Sequence, residues 1–132
     1  MNNVAIVYSD YYKNISENLV KGIEENLDNK FVVSKHRVTG AWELIYKINN
    51  LIEKEGIDKF IAVGVICKGD TDHYEYLSSG TVKGLIDLTL KKNVYISNCV
   101  LNVIDINQAI SRSSNENNKG KESAEALNNL FQ

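Results

Sequence analysis

Residues 60–67 read FIAVGVIC. Apart from Gly64, every side chain in the run is apolar, and β-branched residues dominate. A strand with one wet face alternates between apolar and polar. This one does not, so both of its faces are covered, which is the mark of a parallel sheet. Residues 4–8, VAIVY, repeat the pattern near the N-terminus. Residues 31–38 (FVVSKHRV) and 94–101 (VYISNCVL) are also short and β-branched, and they bring the predicted strands to four.

The segments between these runs have helical spacing. Ile15, Leu19, Ile23 and Leu27 form one stripe, and Asn14 with Glu17 suggests a capping box at its start. Leu44, Ile48, Leu51 and Ile52 form a second stripe, which Gly56 ends at a position that favours left-handed backbone. A third helix is expected over 74–92, with Leu77, Leu85, Ile86 and Leu88 inward. Asp105 caps a short fourth helix. A fifth runs over 119–131 with Ala124, Leu127 and Leu130 on its buried face. The order β-α-β-α-β-α-β-α-α, with right-handed crossovers, predicts an α/β fold: a three-layer αβα sandwich around a four-stranded parallel sheet.

Composition agrees with a soluble globular chain. The 132 residues (1–132) suffice for a single domain, with 43% hydrophobic and 24% charged residues. A net charge of −2 and the lack of any basic stripe argue against a nucleic-acid partner. The start MNNVAIVYSDYY lacks the features of a signal peptide, and no apolar run reaches the roughly 20 residues that span a bilayer. Cys67 and Cys99 lie alone in apolar segments, which predicts two buried thiols in a reducing cytoplasm.

Ligands of open parallel sheets gather at the carboxyl ends of the strands. Those ends carry Ser9-Asp10-Tyr11-Tyr12, then Thr39-Gly40-Ala41-Trp42-Glu43, then Lys68-Gly69-Asp70-Thr71-Asp72-His73, then Asn102. Such a rim suits a flat polar molecule that carries an anionic group. Gly69, Asp70 and Thr71 read either as an ordinary helix-cap turn or as a phosphate cradle at a helix N-terminus. His73 reads either as a surface histidine or as a proton shuttle near neutral pH. Tyr11 and Trp42 suit either stacking or packing, with core packing the stronger expectation for Trp42. A metal site among Asp70, Asp72, His73 and Glu75 is disfavoured, because the adjacent Asp72 and His73 diverge. His36 reads as structural or exposed, and Arg112 and Lys119 as solvated helix-end cations.

Three blocks, VTGAWEL (38–44), GVICKGDTDHYEYL (64–77) and AISRSSNENNKGKESA (109–124), resemble the signature blocks of the 6,7-dimethyl-8-ribityllumazine synthase family in order and spacing. The middle block is the most specific, since it joins strand end, turn and histidine. The likeness spans essentially the whole chain. It implies a flavodoxin-like fold and a cofactor-free, metal-free condensation in riboflavin biosynthesis. The implied substrates are 5-amino-6-(ribitylamino)uracil and 3,4-dihydroxy-2-butanone 4-phosphate.

By position, the resemblance makes His73 the catalytic acid–base. Gly69, Asp70 and Thr71 become the phosphate turn, and Arg112 the phosphate clamp from a neighbouring subunit. Tyr11 becomes the ring cover and Glu43 the ribityl-orienting carboxylate, with Ala41, Trp42, Ile66, Asn98 and Lys119 as further substrate contacts. Tyr12 stands where asparagine is common, Asn98 where phenylalanine is common, and Thr39, Ile45 and Asp72 where prolines are common. The resemblance also implies a homopentamer with sites shared between subunits. Because the first predicted strand begins at Val4, a pentamer or a pair of pentamers is expected rather than a shell. The rival readings are a non-catalytic flavin or lumazine binder, and a lumazine-synthase-like riboflavin synthase. A signalling receiver would need an aspartate at the end of the third strand, which this chain lacks.

Overall fold

The computed structural model describes residues 2–69 and 73–132. The elements are β1 (Asn3–Ser9), α1 (Lys13–Asn26), β2 (Val32–Val38), a 3₁₀ turn (Ala41–Glu43), α2 (Leu44–Glu55), β3 (Lys59–Cys67), α3 (His73–Lys92), β4 (Tyr95–Val103), α4 (Ile106–Arg112) and α5 (Lys119–Leu130). The expected order holds. The strands form one parallel sheet in the order β2-β1-β3-β4. Register runs from Asn3 beside Val32, Ala5 beside Phe60 and Lys59 beside Tyr95.

The central strands are apolar throughout because successive side chains enter different cores. Val4, Ile6, Ile61, Val63 and Val65 pack under α1 and α5. Ala5, Val7, Phe60, Ala62 and Ile66 pack under α2 and α3. β2 lies at an edge, and most of its residues are exposed, which matches its polar centre. Among the described residues, no helix is long and apolar enough to cross a membrane.

Local details differ from expectation where helix phase or a boundary decides them. The helix α1 begins at Lys13, with Tyr12 at its N-cap and no side-chain cap, so Asn14 and Glu17 form no capping box. Glu17 instead lies 4.0 Å from Lys13, one turn away. On α3 the buried residues are Thr81, Leu85 and Leu88, with Leu77 partly buried. Ile86 lies about 100° round the helix from Leu85 and is exposed, contrary to its predicted inward place. Leu130 is likewise exposed, at the last residue of α5, although Ala124 and Leu127 are fully buried. The fourth strand extends through Val103, so Asn102 lies within it and not beyond its end. Gly56 does end α2 in the left-handed conformation, with φ of 65°. Cys99 is buried, and burial pushes its thiol up to about 12. Cys67 is only half-buried, because it ends β3 at an open rim.

Candidate active site

A cavity of about 310 Å³ opens at the carboxyl ends of β1 and β3. Tyr11 and Tyr12 enter from the loop after β1, and Gly40, Ala41 and Trp42 from the turn after β2. Val65, Ile66 and Cys67 come from the end of β3, and His73 and Leu77 from the start of α3. Parallel strands all present the same end to this rim, so residues far apart in sequence meet there without any special loop.

Each wall has a local cause. Ser16 Oγ donates to the Ser9 carbonyl (2.5 Å), and the Asp10 N–H reaches the Val38 carbonyl (3.3 Å). The Arg37 guanidinium bonds the Asp10 carboxylate, which holds that carboxyl below the ordinary value and raises the arginine. The loop carrying Tyr11 and Tyr12 is thereby tied to α1 and β2. The Tyr11 ring meets Tyr12 edge to face, with centroids 5.0 Å apart and planes at 76°. Burial, followed by the proximity of Cys67 and Tyr11, raises the Tyr12 phenol and keeps it neutral.

On the second wall, Glu43 Oε1 accepts the Gly40 N–H at 2.9 Å, which closes the turn that presents Ala41 and Trp42. Trp42 is 77% exposed, so the packing role expected for it is not what the fold uses. Gly64 lies behind this wall. A methyl there would stand 3.0 Å from Ser9 Oγ and 3.4 Å from Leu44 Cδ1, a tight fit to which these side chains would have to yield. Lys68, just beyond β3, and Glu75, in the first turn of α3, approach to 3.8 Å. Asp70 and Thr71, two of the predicted phosphate ligands, lie outside the described residues, as does Asp72.

Other predicted residues lie elsewhere in the chain. Arg112, at the end of α4, and Lys119, at the start of α5, line a second cavity of about 520 Å³ with Asn102, Ser111, Asn117 and Glu122. No described residue lines both cavities. Lys119 pairs with Glu122 at 3.6 Å. Asn98 is exposed on β4, an edge strand, and its Oδ1 turns back to accept the Val100 N–H (2.9 Å). His36, on β2, shares a 2.9 Å hydrogen bond with Ser34 and takes no part in either cavity.

The sequence reading named Tyr12 among the strand-end residues without giving it a role, and omitted Val65, Cys67 and Leu77 from the site. Tyr12 had a signal, being a second aromatic beside Tyr11 at a strand end. Leu77 had one too, one turn beyond His73 on the same helix. Asn102 Oδ1 is a further surprise, buried with no hydrogen-bond partner among the described residues, in the cavity that Arg112 and Lys119 line.

The sequence matches a family model described as 6,7-dimethyl-8-ribityllumazine synthase over residues 2–132. A protein of that name from Limosilactobacillus reuteri is 30% identical over 130 residues, covering 94% of this chain and 84% of the relative. One from Campylobacter jejuni subsp. doylei is 35% identical over 124 residues, covering 90% of this chain and 80% of the relative. One from Parabacteroides distasonis is 31% identical over 127 residues, covering 92% and 79% respectively. A match along essentially the full length, on the parallel-sheet fold that the residues dictate, leads to one conclusion: the chain belongs to the 6,7-dimethyl-8-ribityllumazine synthase family.

Proposed function

We propose that this chain condenses 5-amino-6-(ribitylamino)uracil with 3,4-dihydroxy-2-butanone 4-phosphate. The products are 6,7-dimethyl-8-ribityllumazine, phosphate and water, and the step belongs to riboflavin biosynthesis in the cytoplasm. The observation that carries this reading is the first cavity, where Tyr11, Ala41, Trp42, Ile66 and His73 meet at one strand-end rim.

In this reading the pyrimidine lies against Tyr11, with Ala41, Trp42 and Ile66 around it. Glu43 keeps one carboxylate oxygen on the Gly40 N–H and offers the other to a ribityl hydroxyl. The aminouracil is its own nucleophile. Its amine attacks the ketone carbon, water leaves as the imine forms, phosphate is eliminated, and the second nitrogen closes the ring with loss of water. Holding two reactants in register removes much of the entropic barrier. His73, at the first residue of α3, moves protons as phosphate departs. Gly69, Asp70 and Thr71 hold the phosphate at the N-terminus of that helix.

Arg112, Lys119 and Asn98 reach the site from a second copy. Two observations support this. Arg112 and Lys119 line a cavity that shares no described residue with the His73 cavity. The α2–α3 side also leaves Trp42, Tyr46, Tyr76, Val82, Ile86 and Leu90 exposed, an apolar patch of the kind that marks protein interfaces. The assembly implied by the family resemblance is a pentamer. Across its interface the planar fork of Arg112 grips phosphate oxygens bidentately while water is excluded.

Incubating the purified protein with both substrates should yield the fluorescent lumazine, and EDTA should leave the rate unchanged. Absence of product sinks the reading, and activity lost to EDTA and restored by a divalent ion replaces it with a metal mechanism. His73→Ala should slow turnover by about 10²-fold or less, since the amine stays nucleophilic. Arg112→Ala should chiefly weaken use of the butanone phosphate. Co-refolded His73→Ala and Arg112→Ala chains should then exceed either variant alone, because some interfaces pair two intact residues. If both single variants are severely impaired and mixtures never exceed them, the site is not shared.

A further inference from the structure

Tyr11 and Tyr12 are consecutive in sequence but held very differently. Tyr11 is 73% exposed at the cavity mouth, and among the described residues its side chain makes no hydrogen bond or ion pair. Tyr12 is half-buried, lines the same cavity, and packs against the core beneath α1 and α5. Its carbonyl accepts the Ser16 N–H at 3.0 Å, and Ser16 Oγ in turn holds the Ser9 carbonyl. Among the described residues, the one directional contact on the Tyr11 ring is the edge-to-face meeting with Tyr12 at 5.0 Å and 76°.

We propose that Tyr12 is a positioning residue, whose anchored ring sets the plane of Tyr11 before a flat heterocycle arrives. This rests on the reading above that the pyrimidine lies against Tyr11. An exposed tyrosine with no partner samples its rotamers, and binding must then order it at a cost in affinity. An anchored neighbour at T-shaped distance removes most of that cost in advance. Because ring quadrupoles favour edge-to-face over arbitrary contact, Tyr12 also selects one Tyr11 orientation. The hydroxyl of Tyr12 has no part in this.

The test compares Tyr12→Leu, which keeps apolar bulk but loses the ring, with Tyr12→Phe, which keeps the ring and loses the hydroxyl. Tyr12→Leu should raise the KM for the aminouracil, and its calorimetric Kd in the absence of the second substrate, by roughly three- to tenfold, the size an aromatic pair supports. Both kcat and the KM for the butanone phosphate should change by less than about twofold, as expected of lost preorganisation. Tyr12→Phe should recover the lost affinity. Because Tyr12 acts through Tyr11, the double variant Tyr11→Leu/Tyr12→Leu should bind no more weakly than Tyr11→Leu alone.

Equal losses in Tyr12→Phe and Tyr12→Leu would assign the effect to the hydroxyl and overturn the proposal. Additive losses in the double variant, or an unchanged Kd in Tyr12→Leu, would overturn it as well. Circular dichroism checks folding, and Tyr12→Met replaces Tyr12→Leu if the latter does not fold. An unaltered chain that forms no lumazine defeats the functional reading. An active unaltered chain with an indifferent Tyr12→Leu variant defeats only this inference.

Discussion

On the face covered by α1, α4 and α5, polar side chains tie the helices to one another, whereas α2 and α3 cover the opposite face and leave large apolar side chains outside. Asn118 shows the first kind of construction. Its Oδ1 accepts the N–H groups of Gly120 (2.7 Å) and Lys121 (3.3 Å), while its Nδ2 donates to the Asn18 and Ser113 carbonyls. One side chain caps α5 and fastens it to α1 and to the end of α4. At the far end of α5, Asn128 bonds Asn26 and Asp28. Ser123 closes the middle by accepting the Ser97 hydroxyl at its carbonyl (2.8 Å). Between α2 and α3 the polar link among the described residues is a surface pair, Lys92 with Glu53 at 3.2 Å, a kind of contact worth little. Tyr46, Tyr76, Ile86 and Leu90 stand exposed on these two helices. The first face is tied together within the chain, although Ile110 and Leu130 stand exposed on it, and the second leaves more large apolar side chains exposed.

The largest expected effect tests that contrast directly. Ile86→Asp with Leu90→Asp places two charges on the apolar side without touching the core. If a second copy covers this face, the protein should sediment as a monomer with unchanged circular dichroism, and condensation activity should fall with it. An unaltered particle mass would show that the patch is not the interface.

Next in size is a pair of glycine substitutions, one on each face. A methyl on Gly120 would run into the Leu19 carbonyl and stand 2.8 Å from Asn118 Oδ1, so α5 must move away from α1. Gly120→Ala should cost about 3 kcal/mol and lower Tm by about 10 °C. Gly80, on α3, has nothing within 4 Å of an added methyl. There the helix gains from alanine, so Gly80→Ala should stabilise the chain by roughly 0.5–1 kcal/mol. Thermal melts of equal sign in the two variants would break the comparison.

The smallest effect lies at the rim, where the Asp10–Arg37 pair braces the loop that carries the two tyrosines. Its hydrogen bond to Arg37 holds the Asp10 carboxyl below its ordinary 3.8. A depressed folded value contributes stability above the unfolded value, and that contribution is lost as pH falls through the folded one. The window therefore lies below about pH 4. Carboxylate NMR should give an Asp10 midpoint below 3.8, and Arg37→Ala should return it toward that value. A midpoint that does not move in Arg37→Ala would mean the pair does not hold in solution.

Most of the fold could be read from the chain because one-dimensional patterns carry it. The unbroken run at 60–67 requires cover on two faces, and the observed β3 has it. The errors fell where a residue sits at the margin of a pattern. Ile86 neighbours the buried Leu85 and Leu88, yet helix phase turns it outward. Leu130 continues the stripe of Leu127, but it is the last residue of α5 and stands exposed, while the next residue, Phe131, packs edge to face on Tyr95 of β4. Asn14 resembled a cap because its spacing to Glu17 was right, whereas the chain enters the helix from Tyr12. Half of the candidate site was readable for the same reason as the fold. Tyr11, Ala41 and His73 follow strands, and parallel strands end on one rim.

What the sequence determined by itself is therefore the layered α/β fold, its strand alternation and the set of residues gathered after each strand, because hydrophobic periodicity and chain order suffice for these. Tertiary structure decided three further things. It put Tyr12 edge-on to Tyr11, since ring orientation depends on how the loop is braced by Ser16 and Arg37. It placed Trp42 outside the core on a turn that Glu43 closes. It also set Arg112 and Lys119 in a cavity apart from His73, because α4 and α5 pack on the opposite side of the sheet from α2 and α3. Such separations depend on distances in space, which spacing along a chain does not encode.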